Sequence, residues 1–312
     1  MSEVKKIATR EGYGDGLKEL GKMYDNLIVL DADLAEATKT IKFKEEFPER
    51  FFDCGIAEGN MIGVAAGLAS TGKVVFASSF AMFAAGRAFE QIRNSLGYTK
   101  LNVKVAASHG GISVGEDGAS HQCNEDFAIM RSIPGMVVIS PSDAIEAKEA
   151  TIAAYKHNGP CYLRFGRLAV DVINDNPSYK FELGKGITLK EGNDVAIIAT
   201  GLMVSEALKA AEELEKDGIS ARVINIHTIK PIDRELILKA ARETKFLVTC
   251  EEHNIIGGLS DAVSQVVCEE CPVKVVRVGV LDVFGKSGPA TELLKEFGLS
   301  KDGIIEKVKK EL

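Results

Sequence analysis

Val103-Lys104-Val105-Ala106-Ala107-Ser108-His109-Gly110-Gly111-Ile112-Ser113-Val114-Gly115-Glu116-Asp117-Gly118-Ala119-Ser120-His121-Gln122 is the stretch whose reading decides the fold. Its opening residues, 103–108, form a mostly apolar run of strand length, and another short apolar run follows at 136–139. In residues 108–122 alone the chain packs two of its five histidines, two carboxylates and four glycines. A loop needed only to join two elements can be far shorter and plainer. Glycines let the backbone turn tightly and approach a ligand, while imidazoles and acids bind hydroxyls or phosphates and move protons near neutral pH. The stretch therefore reads as a buried strand whose end opens into the floor of an active site.

Working outward, apolar runs at 26–31, 74–78, 103–108 and 136–139 alternate with helical patterns at 9–24, 58–70, 84–96 and 143–156. Ser142 and Asp143 supply a cap for the last of these helices. Continuous apolar strands alternating with helices predict a mainly parallel sheet covered on both faces. The polar, proline-containing segment 174–180 reads as a linker. Beyond it the rhythm restarts, with strands at 195–200, 221–226, 246–250 and 273–278 and helices at 205–217, 233–244 and 260–268. The expected fold class is α/β, with two α/β domains built on mainly parallel sheets. Residues 1–172 form the first domain, 173–184 the linker and 185–312 the second.

The chain has 312 residues, 46% hydrophobic and 27% charged, with a formal net charge of −7. That acidic balance argues against a nucleic-acid backbone as partner. No apolar run reaches the roughly 18 residues of a membrane span, and the first six residues lack the apolar core of a signal peptide. Six scattered cysteines carry no disulfide-framework spacing, which fits a reducing compartment. A cytoplasmic protein is expected. Cys268 and Cys271 form a lone C-x-x-C, read as small half-buried thiols at a helix end.

Gly55-Ile56-Ala57-Glu58-Gly59-Asn60-Met61 opens the glycine-rich helix at 58–70. An acid at a helix start complements the helix dipole. Glu58 also precedes a run of small residues that allows close packing, so its carboxyl is expected to be poorly solvated and its proton affinity raised. It could hydrogen-bond a heterocyclic nitrogen. Phe76, Phe80 and Phe83 fit a core stripe, yet Ser78-Ser79 marks a strand end, where clefts open in parallel sheets and a ring could stack on a planar cofactor.

Taken in order, G-I-A-E-G-N-M, S-S-F-A-M-F-A-A-G, S-H-G-G-I-S-V-G-E-D-G-A-S-H-Q and P-S-D resemble the transketolase family of thiamine diphosphate enzymes. The first domain resembles the family's pyrimidine-binding domain and the second its carboxy-terminal domain. The family holds the cofactor diphosphate and Mg2+ through a GDG motif and a downstream asparagine in a separate amino-terminal domain. Gly14-Asp15-Gly16 copies the triplet, but it lies in a helical pattern and lacks the asparagine, so it is read as a decoy. The chain thus resembles the carboxy-terminal subunit of a split transketolase.

The resemblance implies roles residue by residue. Glu58 would contact the aminopyrimidine and favour the imino form that activates the cofactor, while Phe80 and Phe83 would pack on the ring. Asp33 lies at an acidic position near the cofactor, with a turn-forming role equally open. His109 would touch the sugar phosphate, Asp117 an acceptor hydroxyl and His121 a donor hydroxyl; Glu58, His121 and His109 are the catalytic candidates. Arg164 would bind phosphate, with Arg167 close enough to leave the choice open. Arg10 would be a second phosphate contact and Thr38 a substitute for a family serine. No metal ligand is expected on this chain. The loop of His253 is read as a structural or interface feature, and His157 and His227 as surface or structural residues.

The function implied is transfer of a two-carbon ketol unit between sugar phosphates in the pentose phosphate pathway. It would proceed in association with a separate amino-terminal subunit, plausibly as α2β2. Alternatives are a 1-deoxyxylulose-5-phosphate synthase-like enzyme half, a 2-oxo acid dehydrogenase β-subunit, or a scaffold without catalysis. An arginine usually stands where His109 is in the first, the second lacks V-G-E-D-G-x-x-H-Q, and intact Glu58, His109, Asp117, His121 and Arg164 oppose the third.

Overall fold

Parallel strands with no polar stripe need cover on both faces, and that is the arrangement observed. A computed structural model describes residues 5–312. Met1 to Val4, part of the terminal stretch read for a signal sequence, lie outside the described residues. A seven-stranded sheet has the order Thr228–Lys230, Val137–Ile139, Cys161–Arg164, Val103–Ser108, Val74–Phe80, Leu27–Asp31, Phe51–Asp53. All neighbours run parallel except Thr228–Lys230, which pairs antiparallel at the edge. A five-stranded sheet has the order Val275–Val280, Phe246–Asn254, Val195–Ala199, Ala221–Asn225, Ile187–Lys190, again with one antiparallel edge strand.

The edge strand Thr228–Lys230 comes from the second half of the chain but joins the first sheet. The expected division at residues 173–184 is thus crossed by one strand. Sequence spacing could not reveal it, because a three-residue strand has no periodicity to read.

Helices Thr9–Met23 and Ala144–Lys156 cover one face of the large sheet over Tyr13, Leu17, Leu20, Phe76 and Ile139. Close approach there explains the glycines of the first helix. A Cβ at Gly12 would come 1.9 Å from the Ala144 carbonyl oxygen, and one at Gly16 2.9 Å from the Thr151 Cβ. Gly14-Asp15-Gly16 therefore belongs to a helix-packing surface, and Asp15 pairs with Lys42 at 2.8 Å. On the opposite face Glu58–Ser70 buries Met61, Ile62 and Ala65. The helix expected at 84–96 is built of wider turns: π-helical Met82–Arg87 and Ile92–Tyr98 flank a short α-helical Phe89–Gln91. Such turns shift the residues that follow around the helix axis and often occur at functional sites.

The linker is pinned to the molecule. Asp143 caps its helix by accepting from the Glu146 amide at 2.8 Å. Its other oxygen accepts the Ile173 and Asn174 amides, both at 2.8 Å. Tyr179 donates to the buried Glu146 at 2.7 Å. One carboxylate thus starts a helix and fixes the path between the sheets.

Candidate active site at the strand ends

Phe80 ends strand Val74–Phe80, and His109 directly follows the neighbouring strand Val103–Ser108. Parallel register places both at the carboxyl edge of the sheet, where clefts form. Their rings stack at 3.9 Å with a 29° tilt. Phe83 stacks on Phe80 at 6.0 Å, and His121 meets Phe83 edge-on at 5.2 Å. The aromatic residues and both loop histidines form one wall.

His109 is buried and sits at φ 59, a left-handed conformation uncommon for a residue with a side chain. Its Nδ1 lies 2.6 Å from Ser108 Oγ, and Arg10 Nη1 approaches its Nε2 at 3.4 Å. Burial, followed by the charges of Arg10, Arg167 and His121, pushes its pKa down to about 3. The imidazole is neutral at pH 7, and Nε2 faces a group that can only donate. Arg10 is held in turn by donating to the Ala37 carbonyl at 2.9 Å.

The glycine loop leans on the second half of the chain. Gly111 has φ 82, and a Cβ there would lie 2.4 Å from the Glu252 carboxyl carbon. Glu252 accepts the Ser113 amide at 2.5 Å, and Gln122 donates to the carbonyls of Ile112 and Lys286. Asp117, partly exposed, lies 3.7 Å from Arg167 Nη1, and Glu116 lies 3.4 Å away. Arg167 also donates to the Val114 carbonyl at 2.7 Å and is 39% exposed.

Arg164 is not part of this cluster. Its guanidinium is 6% exposed, sits 3.0 Å from the buried Asp126 carboxylate, and donates to the carbonyls of Glu252 and Cys123 at 2.9 Å. It also lies 4.6 Å over the Phe127 ring. With Nη1 and Nη2 donating to carbonyls and Nε beside Asp126 without a hydrogen bond of its own, the guanidinium is turned inward, which corrects the expectation of a phosphate contact there. Arg167 and Arg10 are the arginines whose charges reach His109. Thr38 is a second correction: its hydroxyl is buried and donates inward to Asp31 at 2.7 Å. Asp33 is exposed at φ 63, with its amide donating to Asp53 at 3.0 Å, and its carboxylate has no partner among the described residues.

Glu58 begins its helix and is 1% exposed. Its Oε2 accepts from Arg87 Nη1 at 2.9 Å, and Oε1 has no partner among the described residues. The Arg87 guanidinium lies 4.7 Å over Phe83.

A model of the transketolase pyrimidine-binding domain matches residues 5–172, and one of the transketolase carboxy-terminal domain matches residues 184–304. This chain belongs to the transketolase family. It is 55% identical to a putative transketolase C-terminal section of Methanocaldococcus jannaschii, over 97% of this chain and 96% of that one. It is 45% identical to a 6-deoxy-6-sulfo-D-fructose transketolase subunit of Clostridium sp. strain MSTE9, over 95% and 92%. A solved structure of a split gene transketolase, described as an inactive beta4 tetramer, superposes with TM-score 0.89 at 50% identity, covering 98% of each chain.

Arg87, the partner of Glu58, is a site residue that no sequence motif marks, because the two lie 29 residues apart; the local signal is Phe83, one turn earlier. The other histidines are structural in their contacts. His253 is fully buried, bonds the Asn254 carbonyl through Nδ1 at 2.6 Å and stacks on Phe127, and burial pushes its pKa down to about 4. His227 packs against Phe181, and the His157 carbonyl accepts from the buried Lys104. Cys268 is exposed, Cys271 half-buried, and both are free thiols. Among the described residues no group of three or more His, Cys, Asp or Glu side chains could hold a metal ion. No described helix is long and apolar enough to cross a membrane.

Proposed function

We propose that this chain is the carboxy-terminal subunit of a two-subunit transketolase. It would transfer a two-carbon ketol unit from a ketose phosphate to an aldose phosphate with thiamine diphosphate as cofactor. The observation that carries the reading is the buried Glu58, whose Oε1 has no partner among the described residues and whose Oε2 accepts from Arg87, the guanidinium of which lies over Phe83 of the stacked Phe80–Phe83 pair. A free carboxylate oxygen linked in this way to an aromatic stack fits a planar, nitrogen-bearing heterocycle. The pyrimidine half of the cofactor therefore matches the donor set of this chain.

When bound, thiamine diphosphate supplies the nucleophilic carbon that carries the two-carbon unit. Glu58 Oε1 would hold or exchange a proton at the ring nitrogen, and Phe80 and Phe83 would pack on the ring. His109, neutral and turned by Ser108, bonds a sugar oxygen; His121 and Asp117 orient hydroxyls beside it. Arg10 and Arg167 receive the anionic tail, the role first expected for Arg164. Asp33 stands at the rim of the cofactor cleft. Fixed donors in a nearly buried wall need little reorganisation during reaction.

Asp15, inside the only GDG triplet, is spent on Lys42. Ligands for the diphosphate and Mg2+ are therefore assigned to a separate amino-terminal subunit. The related split-gene structure is an inactive beta4 tetramer, which supports two further parts of the reading: self-association, as in an α2β2 assembly, and inactivity without the partner. A cytoplasmic enzyme of sugar phosphate metabolism is the setting proposed.

The test mixes this chain with the candidate amino-terminal subunit, thiamine diphosphate and Mg2+. Transfer from xylulose 5-phosphate to ribose 5-phosphate is the expected result. Pyruvate decarboxylation without ketol transfer would overturn the assignment, and no cofactor-dependent reaction at all would favour a scaffold.

A further inference from the structure

We propose that Arg87 is a positioning residue for the cofactor half-site, dividing the two oxygens of Glu58 between the protein and the ligand. The inference rests on the reading that Glu58 meets a pyrimidine ring. It begins with the burial of the carboxyl group. At 1% exposure Glu58 has almost no water to solvate a charge, and an unpaired buried carboxylate is costly. Arg87 supplies the missing partner from the surface side, with its own side chain 53% exposed. The cation keeps most of its hydration while satisfying one buried oxygen.

The contact is one-sided. Nη1 donates to Oε2 at 2.9 Å, and Oε1 receives no donor from the described residues. Both oxygens could have been tied by the guanidinium fork, which favours two parallel bonds to a carboxylate. Here one is fixed and the other left open.

The guanidinium is itself aimed by aromatic contact. It lies 4.7 Å from the centre of Phe83, close enough for a cation–π interaction. Phe83 stacks on Phe80 and Phe80 on His109. Phe83 and Arg87 both belong to the π-helical segment Met82–Arg87, whose wide turns set their relative position. Carboxylate, cation and aromatic wall are thus coupled in series. Arg87 holds the plane of the Glu58 carboxyl relative to the face on which the ring stacks.

A competing reading makes Arg87 a lock that must leave before the ring can reach Glu58. The two readings predict opposite signs. If Arg87 positions Glu58, Arg87→Ala weakens cofactor binding; if it blocks, the same change strengthens it.

The experiment measures thiamine diphosphate affinity of the reconstituted two-subunit complex by calorimetry or fluorescence titration. Arg87→Ala is expected to raise Kd by about 10-fold or more, in line with loss of a charge-assisted hydrogen bond. Arg87→Lys should recover part of the affinity, and free guanidinium ion added to the alanine variant should do the same. In a Glu58→Gln background the alanine change should have little further effect, since the two residues act through one contact. Unchanged or tighter binding in Arg87→Ala would overturn the proposal, as would fully additive losses in the double variant. Failure of the unmodified complex to bind thiamine diphosphate would overturn both this inference and the functional reading beneath it. Normal binding without an Arg87 effect would remove only the former.

Discussion

Two arginine–carboxylate pairs stand near the carboxyl edge of the large sheet, and they differ in how the cation is held. Arg164 and Asp126 are both buried, and the guanidinium is also taken up by two main-chain carbonyls. Arg87 and Glu58 make a single contact, with one carboxylate oxygen open and the cation half in water. The first pair is buried and holds the glycine loop against the second half of the chain; a Cβ at Gly110 would fall 2.0 Å from Arg164 Nε. The second pair keeps its cation half in water, with Glu58 Oε1 unpartnered among the described residues. Residue type and motif position look alike in both cases. Each carboxylate also leaves one oxygen without a hydrogen bond among the described residues, Asp126 Oδ1 and Glu58 Oε1, so what separates the pairs is the cation: buried and bonded to two carbonyls in one, half in water in the other.

The most severe way to break this contrast is Glu58→Gln. In the reconstituted enzyme it should lower kcat on the order of 10³-fold, within the range of a lost acid–base group. Sedimentation should show assembly intact; near-normal turnover would put Glu58 outside the mechanism. Arg164→Met should act on stability instead, costing about 3–5 kcal/mol in denaturant unfolding by leaving Asp126 buried and unpaired. Arg167→Met should leave stability within about 0.5 kcal/mol but raise KM for phosphorylated sugars roughly 10–100-fold. An exchange of these two phenotypes would return the phosphate role to Arg164.

His109 sharpens the comparison through pH. Its folded pKa is pushed down to about 3 by burial and neighbouring cations, against an ordinary 6.5. A depressed base is protonated more readily after unfolding, so its contribution is fully present above pH 6.5 and is lost as pH falls toward 3. His109→Asn should flatten the stability profile in that window by up to about 1.4 kcal/mol per pH unit. An unchanged slope would show that the imidazole is not held neutral by its surroundings. The smallest effect belongs to Asp143→Ala, which removes a cap and the anchor of the linker. A loss of about 1–2 kcal/mol is expected in the same unfolding assay.

Much of the architecture was legible in advance because buried parallel strands are short continuous apolar runs. Residues 103–108 and the helix at 58–70 were placed to the residue by that signal and by the small-residue run after Glu58. Three-residue strands such as Phe51–Asp53 and Thr228–Lys230 were not, since they carry no usable period and owe their pairing to the neighbouring strand. The wall of Phe80, Phe83, His109 and His121 was legible because the first three sit at or just beyond strand ends and His121 shares the glycine-rich loop with His109. Arg164, the last residue of strand Cys161–Arg164, and Arg167, just beyond it, could not be told apart by any period. Only the distant Asp126, buried with Tyr162 donating to it at 2.8 Å, decides which arginine turns inward.

The most direct test of the shared-site account is a titration of the amino-terminal subunit into a fixed amount of this chain. Thiamine diphosphate and Mg2+ are held saturating, and ketol transfer is followed throughout. Turnover should be absent with either subunit alone and should rise to a plateau at one partner per copy of this chain. Ketol transfer by this chain without the partner, or a plateau at another ratio, would contradict a site built from two half-sites.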